Sequence, residues 1–190
     1  MKYYVLENGG GNYNPLVDFK ERSRPFNLPQ PMQIDKPVEL ILGEPIPGKP
    51  VMIDYHSMGG IDLISDKVKN VLEPMDIDGI QLVPAQVDVN GTFYDYWVIH
   101  VYKRIECLDR DFCNLLIDED DDEILSIRKI ALDKDELGEY NESKRMVFRI
   151  EEYSGMTLFH EKVVDVIMSV EPDGFRFIDV DEWTDGSAFG

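Results

Sequence analysis

Residues 63–84 (LISDKVKNVLEPMDIDGIQLVP) and 158–179 (LFHEKVVDVIMSVEPDGFRFID) follow one pattern without a gap, at an offset of 95 residues. Leu63, Lys67, Val68, Val71, Asp78 and Gly79 recur as Leu158, Lys162, Val163, Val166, Asp173 and Gly174. This duplication constrains the fold more than any other feature. A unit of that size cannot cover its own apolar face, and two copies packing together or onto a shared sheet would solve the burial problem for both; the other reading is a chance likeness between two amphipathic helices.

In the first copy Leu63, Val68, Val71, Leu72 and Met75 fall at helical spacing on one face, with Lys67, Lys69, Asn70 and Glu73 opposite. The second keeps the stripe as Leu158, Val163, Val166, Ile167 and Val170. Both helices therefore face a core. Ser65 stands where an N-cap is needed, Asp66 suits the first turn, and His160 takes the place of Ser65 in the later copy. After the shared Asp-Gly, Ile80 and Leu82 alternate with Gln81, and Phe175 and Phe177 with Arg176, which is the period of a half-buried strand. Residues 51–55 (VMIDY) align with 146–150 (MVFRI), and Gly60 with Gly155, so each unit reads as strand, turn, helix, turn, strand over 51–82 and 146–177.

Around these units, residues 2–6 (KYYVL) open the chain as a strand, and NGGGNYNP follows as a turn. Seven of the eleven prolines lie between Arg24 and Pro50, predicting an extended loop around the body. Residues 49–55 (KPVMIDY) offer a short buried strand, and SMGG after it a turn. Asn90-Gly91, between two strand-like runs, is a two-residue hairpin signal because both positions accept positive φ. DEDDDE, residues 118–123, cannot enter a core and marks a loop between the halves. Residues 124–132 fit either strand or helix, and the tail DEWTDGSAFG is expected to fray. The fold class is α+β, with a mostly antiparallel sheet in one domain, residues 1–190.

At 43% apolar residues, with nine Tyr and nine Phe, the chain has the makings of an ordinary globular core. The start, MKYYVLENGGG, has neither the apolar region nor the cleavage site of a signal peptide, and no apolar run approaches the ~20 residues that span a bilayer. Cys107 and Cys113 are six apart, outside the spacing of zinc or redox pairs, and two thiols suit a reducing compartment. A cytoplasmic protein is expected. The 38 acidic and 19 basic side chains leave a net charge of −19, which repels nucleic acid and anionic membranes and either attracts a basic protein or serves solubility alone.

Chemistry leaves little trace. His56, His100 and His160 are far apart in sequence and stand at no metal-ligand spacing, and His100, inside WVIHV, reads as a sheet residue. No phosphate-binding glycine motif follows a strand, no G-x-S-x-G elbow is present, and the acidic run lacks the spaced ligands of a calcium loop. No catalytic residue, metal or cofactor is therefore assigned.

The order SDKVKNVLE (65–73), DGIQLVP (78–84), YWVIHV (96–101) and IECLD (105–109), followed by VFRI and a second helix-strand unit, resembles the immunity proteins of bacterial polymorphic toxin systems. Within them it is similar to the family typified by a Myxococcus immunity protein, formerly a domain of unknown function. The likeness runs from about residue 50 to 180, is weaker over the proline-rich stretch, and carries no binding residue over by position. It implies a non-catalytic protein that binds and neutralises a cognate toxin. The charge suits a basic partner, since steering raises association rates towards ~10⁸ M⁻¹s⁻¹ at low salt. Asp118, Glu119, Asp120, Asp121, Asp122 and Glu123 are then a candidate landing patch, with Tyr94, Tyr96 and Trp97 on the hairpin as aromatic anchors or, equally, sheet core. Two other classes stay open: an enzyme with an acidic cleft, and an adaptor for a secreted effector.

Overall fold

A computed structural model of the chain describes residues 1–11, 14–21, 26, 28–57, 59, 61–118 and 120–189, with side chains as far as residue 187 at the C-terminal end. Its strands are β1 (Tyr3–Asn8), β2 (Val17–Phe19), β3 (Val38–Leu42), β4 (Tyr55–Ser57), β5 (Asp62–Ile64), β6 (Ile80–Val89), β7 (Thr92–Val101), β8 (Arg104–Ile105), β9 (Asn114–Ile117), β10 (Ile124–Lys129), β11 (Val147–Ile150), β12 (Thr157–His160) and β13 (Phe175–Asp179). The helices are α1 (Asp66–Leu72), α2 (Lys134–Gly138) and α3 (Glu161–Met168). The fold is α+β. A six-stranded sheet runs β2-β3-β6-β7-β5-β4, a five-stranded sheet β13-β1-β12-β11-β8, and β9 and β10 form a separate pair. All neighbours are antiparallel except β3 with β6 and β8 with β11.

The longest pairing is the β6–β7 hairpin, matched from Val89↔Thr92 to Ile80↔Val101. Asn90 and Gly91 turn it with φ of +54° and +88°, and the Asp88 carboxylate accepts the Gly91 N–H at 2.7 Å. Strand alternation divides the hairpin between two cores. Val83, Ala85, Val87, Tyr96 and Val98 pack with Val38, Leu40 and Leu63 on one face. Ile99 and Val101 join α1 and α3 on the other.

That second core joins the halves. Val68 and Leu72 of α1 lie with Val163, Val164 and Ile167 of α3, together with Tyr55, Ile64, Val147 and Phe159. The two helix-bearing units sit in equivalent sheet settings. β5 and β6, which flank α1, are both antiparallel neighbours of β7. β12 and β13, which flank α3, are both antiparallel neighbours of β1, a strand from the opposite end of the chain. β5, α1 and β6 begin at residues 62, 66 and 80, and β12, α3 and β13 at 157, 161 and 175. After each helix the Asp-Gly turn needs glycine: Gly79 and Gly174 have φ of +103° and +88°, and a Cβ would strike the Lys103 side chain at the first and Ile53 at the second.

Several local expectations give way to tertiary contacts. Residues 51–54 lie outside the sheets, and the strand here is Tyr55–Ser57. Side chains occupy the Ile53 backbone, whose carbonyl accepts from Tyr96 Oη at 2.7 Å and whose N–H donates to His56 Nε2 at 3.3 Å. Within the proline-rich stretch β3 pairs in parallel with β6, because Val38, Leu40 and Leu42 present an apolar face. Residues 124–129 are strand. The tail is tied down: Trp183 is buried and donates from Nε1 to Glu7 at 2.9 Å, and residues 185–189 form a 3₁₀ turn. In the SMGG turn, Met58 and Gly60 lie outside the described residues.

Candidate functional site

Cys107 and Leu108 N–H groups both donate to Glu152 Oε1, at 3.0 and 2.8 Å, anchoring the segment that leads into β9. β9 and β10 then fold back on each other with Ile117↔Ile124, Leu116↔Ser126 and Leu115↔Ile127, the register shifting around Leu125. Leu115, Ile117, Ile124 and Ile127 face a core shared with β1 and β11. Consecutive residues of a strand point to opposite faces, so Leu116 and Leu125 turn outward and are 48% and 51% exposed. Phe112, in the turn before β9, is 74% exposed.

The acidic run is the turn of this β9–β10 pair, so it lies inside one hairpin and does not separate the halves. Asp118 N–H donates to the Glu123 carbonyl at 2.8 Å, and its carboxylate accepts from Asp120 N–H at 2.9 Å. Asp121 accepts from Glu123 N–H at 3.2 Å, and Asp122 takes φ of +60° and meets Arg110 Nη1 at 2.8 Å. Asp118 is half-buried, Asp120, Asp121, Asp122 and Glu123 are exposed, and Glu119 lies outside the described residues.

The hairpin aromatics fare differently. Tyr96 is a core residue, 5% exposed, because its ring faces Val83 and Val98 while its hydroxyl donates to Ile53; it is not a surface anchor. Trp97 is half-buried under α1, with Nε1 donating to Asp66 at 2.7 Å and the Lys69 ammonium 4.9 Å above the ring. Tyr94 is exposed, beside an even more exposed Phe93 at 58%. The acidic turn and the hairpin tip belong to different sheets and do not form one site. Sequence reasoning missed Phe112, Leu116, Leu125 and Phe93. Leu115-Leu116-Ile117 fits a strand buried on both faces as well as one with a face turned out, so period alone does not single out Leu116.

A cleft of about 500 Å³ adjoins this pair, lined by Tyr3, Phe112, Lys129, Lys134, Leu137 and Asp179 among others. A smaller cavity of about 200 Å³ lies between the sheets, where Glu7, Tyr55 and Asp62 face Phe159. Burial pushes the Asp62 carboxyl up to about 6, against the opposing influence of its 2.8 Å bond from Tyr55 Oη and the Arg149 charge. Because this folded value exceeds the ordinary ~3.9, the ionised carboxylate destabilises the fold above pH ~6 and the penalty vanishes below ~4. Asp62→Asn is therefore expected to raise stability by about 1–2 kcal/mol at pH 7 and by little at pH 4, read from urea unfolding at the two pH values. An equal gain at both would refute the assignment.

Burial also pushes the Cys107 thiol up, and His56 and His160 down towards their neutral forms. His160 caps α3, Nδ1 accepting from Lys162 N–H at 3.2 Å, and His100 is buried with Nε2 at 2.9 Å from the Gln30 carbonyl. Among the described residues no cluster of three or more His, Cys, Asp or Glu is placed to hold a metal ion, and no helix is long and apolar enough to cross a membrane.

Two mixed sheets around a helix pair, bearing a −19 charge and exposed apolar side chains on an acidic hairpin, define an acidic α+β protein. The model of the immunity protein family (Imm11) matches residues 14–182, and the chain belongs to that family. No curated protein matches it.

Proposed function

We propose that this chain is a single immunity-type domain, residues 1–190, that binds a cognate bacterial toxin and neutralises it by covering its surface, without chemistry of its own. The observation that carries this reading is the family match over residues 14–182. The shared core of α1 and α3 supports one body acting as a unit. The protein works in the cytoplasm of the cell that makes the toxin. Its charge favours a basic partner, whose approach it accelerates. The exposed acids from Asp120 to Glu123 steer. Rim charges hold little by themselves, about 0.2–1 kcal/mol each, so retention falls to apolar anchors, with Tyr94 at the hairpin tip as one candidate.

A catalytic reading would place the acid chemistry at Asp62 and Glu7. Both carboxylates are engaged structurally, one by Tyr55 and the other by Trp183. The deciding experiment is coexpression with the toxin encoded by the neighbouring gene. Growth should be restored, and the two proteins should co-elute as a stoichiometric complex. Toxicity unchanged by coexpression would overturn the reading.

A further inference from the structure

We propose that the toxin docks on the β9–β10 pair, laying an extended, basic segment along the free edge of β9 as a third strand; this rests on the immunity reading above. β10 is occupied on its outer side, where Lys129 bridges Thr184, whereas no described strand pairs with the outer side of β9. An open edge is a template for another chain, and proteins that guard one place Lys, Pro or a covering loop on it. The sequence of β9, NLLI, has none of these charges or prolines. An added strand gains its register from main-chain hydrogen bonds and its specificity from side-chain pockets on the face.

That face is unusually apolar. Leu125 and Leu116 are 51% and 48% exposed on it, and Phe112, 74% exposed, lies in the turn before β9 beside the neighbouring cleft. Leu116 stands opposite Ser126, and Leu125 lies in the register shift next to it, so both leucines lie on the outward face. The rim decides the occupant. Asp111, Asp120, Asp121 and Glu123 are exposed around the patch and outnumber the exposed Arg128 and Lys129 of β10, while Arg110 is already taken by Asp122. A second copy of this chain would bring the same acids against them and repel, as would nucleic acid. An extended segment with Lys or Arg near its ends and an apolar residue between them satisfies edge, face and rim at once. Four strand residues give such a segment about 13 Å of ladder at ~3.3 Å per residue.

The test uses the full-length protein and the toxin encoded beside it. Leu116→Asp combined with Leu125→Asp, both at exposed positions, should weaken binding at least 30-fold, while Val51→Asp, equally exposed but away from this pair, should change it by less than threefold. Hydrogen exchange on the wild-type complex should show slowed amides at residues 114–117, and this readout does not depend on any variant folding. Raising NaCl from 50 to 500 mM should weaken the complex at least tenfold. Full affinity in the double variant, or unchanged exchange at 114–117 in a stable wild-type complex, would overturn this docking mode and leave the immunity reading intact. Absence of any wild-type complex would overturn both.

Discussion

Phe159→Ala is expected to remove about 4 kcal/mol of stability, within the range of large buried aromatic truncations. Phe159 is 1% exposed, lies opposite both Tyr4 and Val147, and meets the Phe177 ring edge-on at 5.5 Å. Its core also receives Val68 and Leu72 from α1 and Val163 and Ile167 from α3, so the cavity would open where both units meet. The two tryptophans make the consequence measurable. Trp97 reports the six-stranded sheet and Trp183 packs with the five-stranded one. In urea, fluorescence from single-tryptophan versions should give coincident transitions, both shifted to lower denaturant by the substitution. A shift confined to Trp183 would mean that the halves unfold independently.

Asp54→Ala should cost about 2–3 kcal/mol, because it strips an acceptor from three donors at once. The carboxylate takes Ser65 Oγ at 2.6 Å, Asp173 N–H at 2.9 Å and Lys67 Nζ at 3.1 Å, and Lys67 also reaches the Glu171 carbonyl at 2.9 Å. Residue 54 leads into β4, whereas 171 and 173 lie in the turn after α3, so this cluster fastens one unit to the other. It also explains why Ser65, at the N-cap of α1, makes no side-chain cap: its hydroxyl is spent on Asp54. Burial alone would push Asp54 up, but bonds from Ser65, Asp173 and Lys67 together outweigh it and hold the carboxyl below its ordinary value. A lowered folded value means that the stabilisation is present above pH ~4 and lost as pH falls through the folded value. The difference between Asp54→Ala and wild type, measured by urea unfolding, should therefore shrink on acidification below pH 4. A difference that stays constant down to pH 2 would assign the loss to packing.

Much of the candidate surface was legible in part only. DEDDDE declares itself exposed, since six adjacent carboxylates cannot be desolvated together. It does not declare what lies beside it. Phe112, Leu116 and Leu125 look like core residues in sequence, and nothing local shows that the β9–β10 pair offers its second face to no other layer. Tyr96 shows the reverse: it and Tyr94 point to one face of the same strand, yet only the stretch carrying Ile53 covers Tyr96. Burial of a strand residue depends on which distant segment lies over it, and that information is absent from its neighbours in sequence.

Short-range forces settle part of this in the sequence: the Val68–Leu72 and Val163–Ile167 spacings of α1 and α3, the Asn90-Gly91 turn and the overall charge. These follow from steric limits on φ and from helical or strand period, both acting within a few residues. Leu63 and Leu158, read there into the helical stripes, lie instead in β5 and β12, and Met75 and Val170 fall beyond the ends of α1 and α3. Long-range packing selects β7 to lie between β5 and β6 and the first strand of the chain to fill the same place between β12 and β13. A vacant slot between two strands accepts any segment with matching alternation, whatever its distance along the chain, and the choice is made by the summed burial of the whole core.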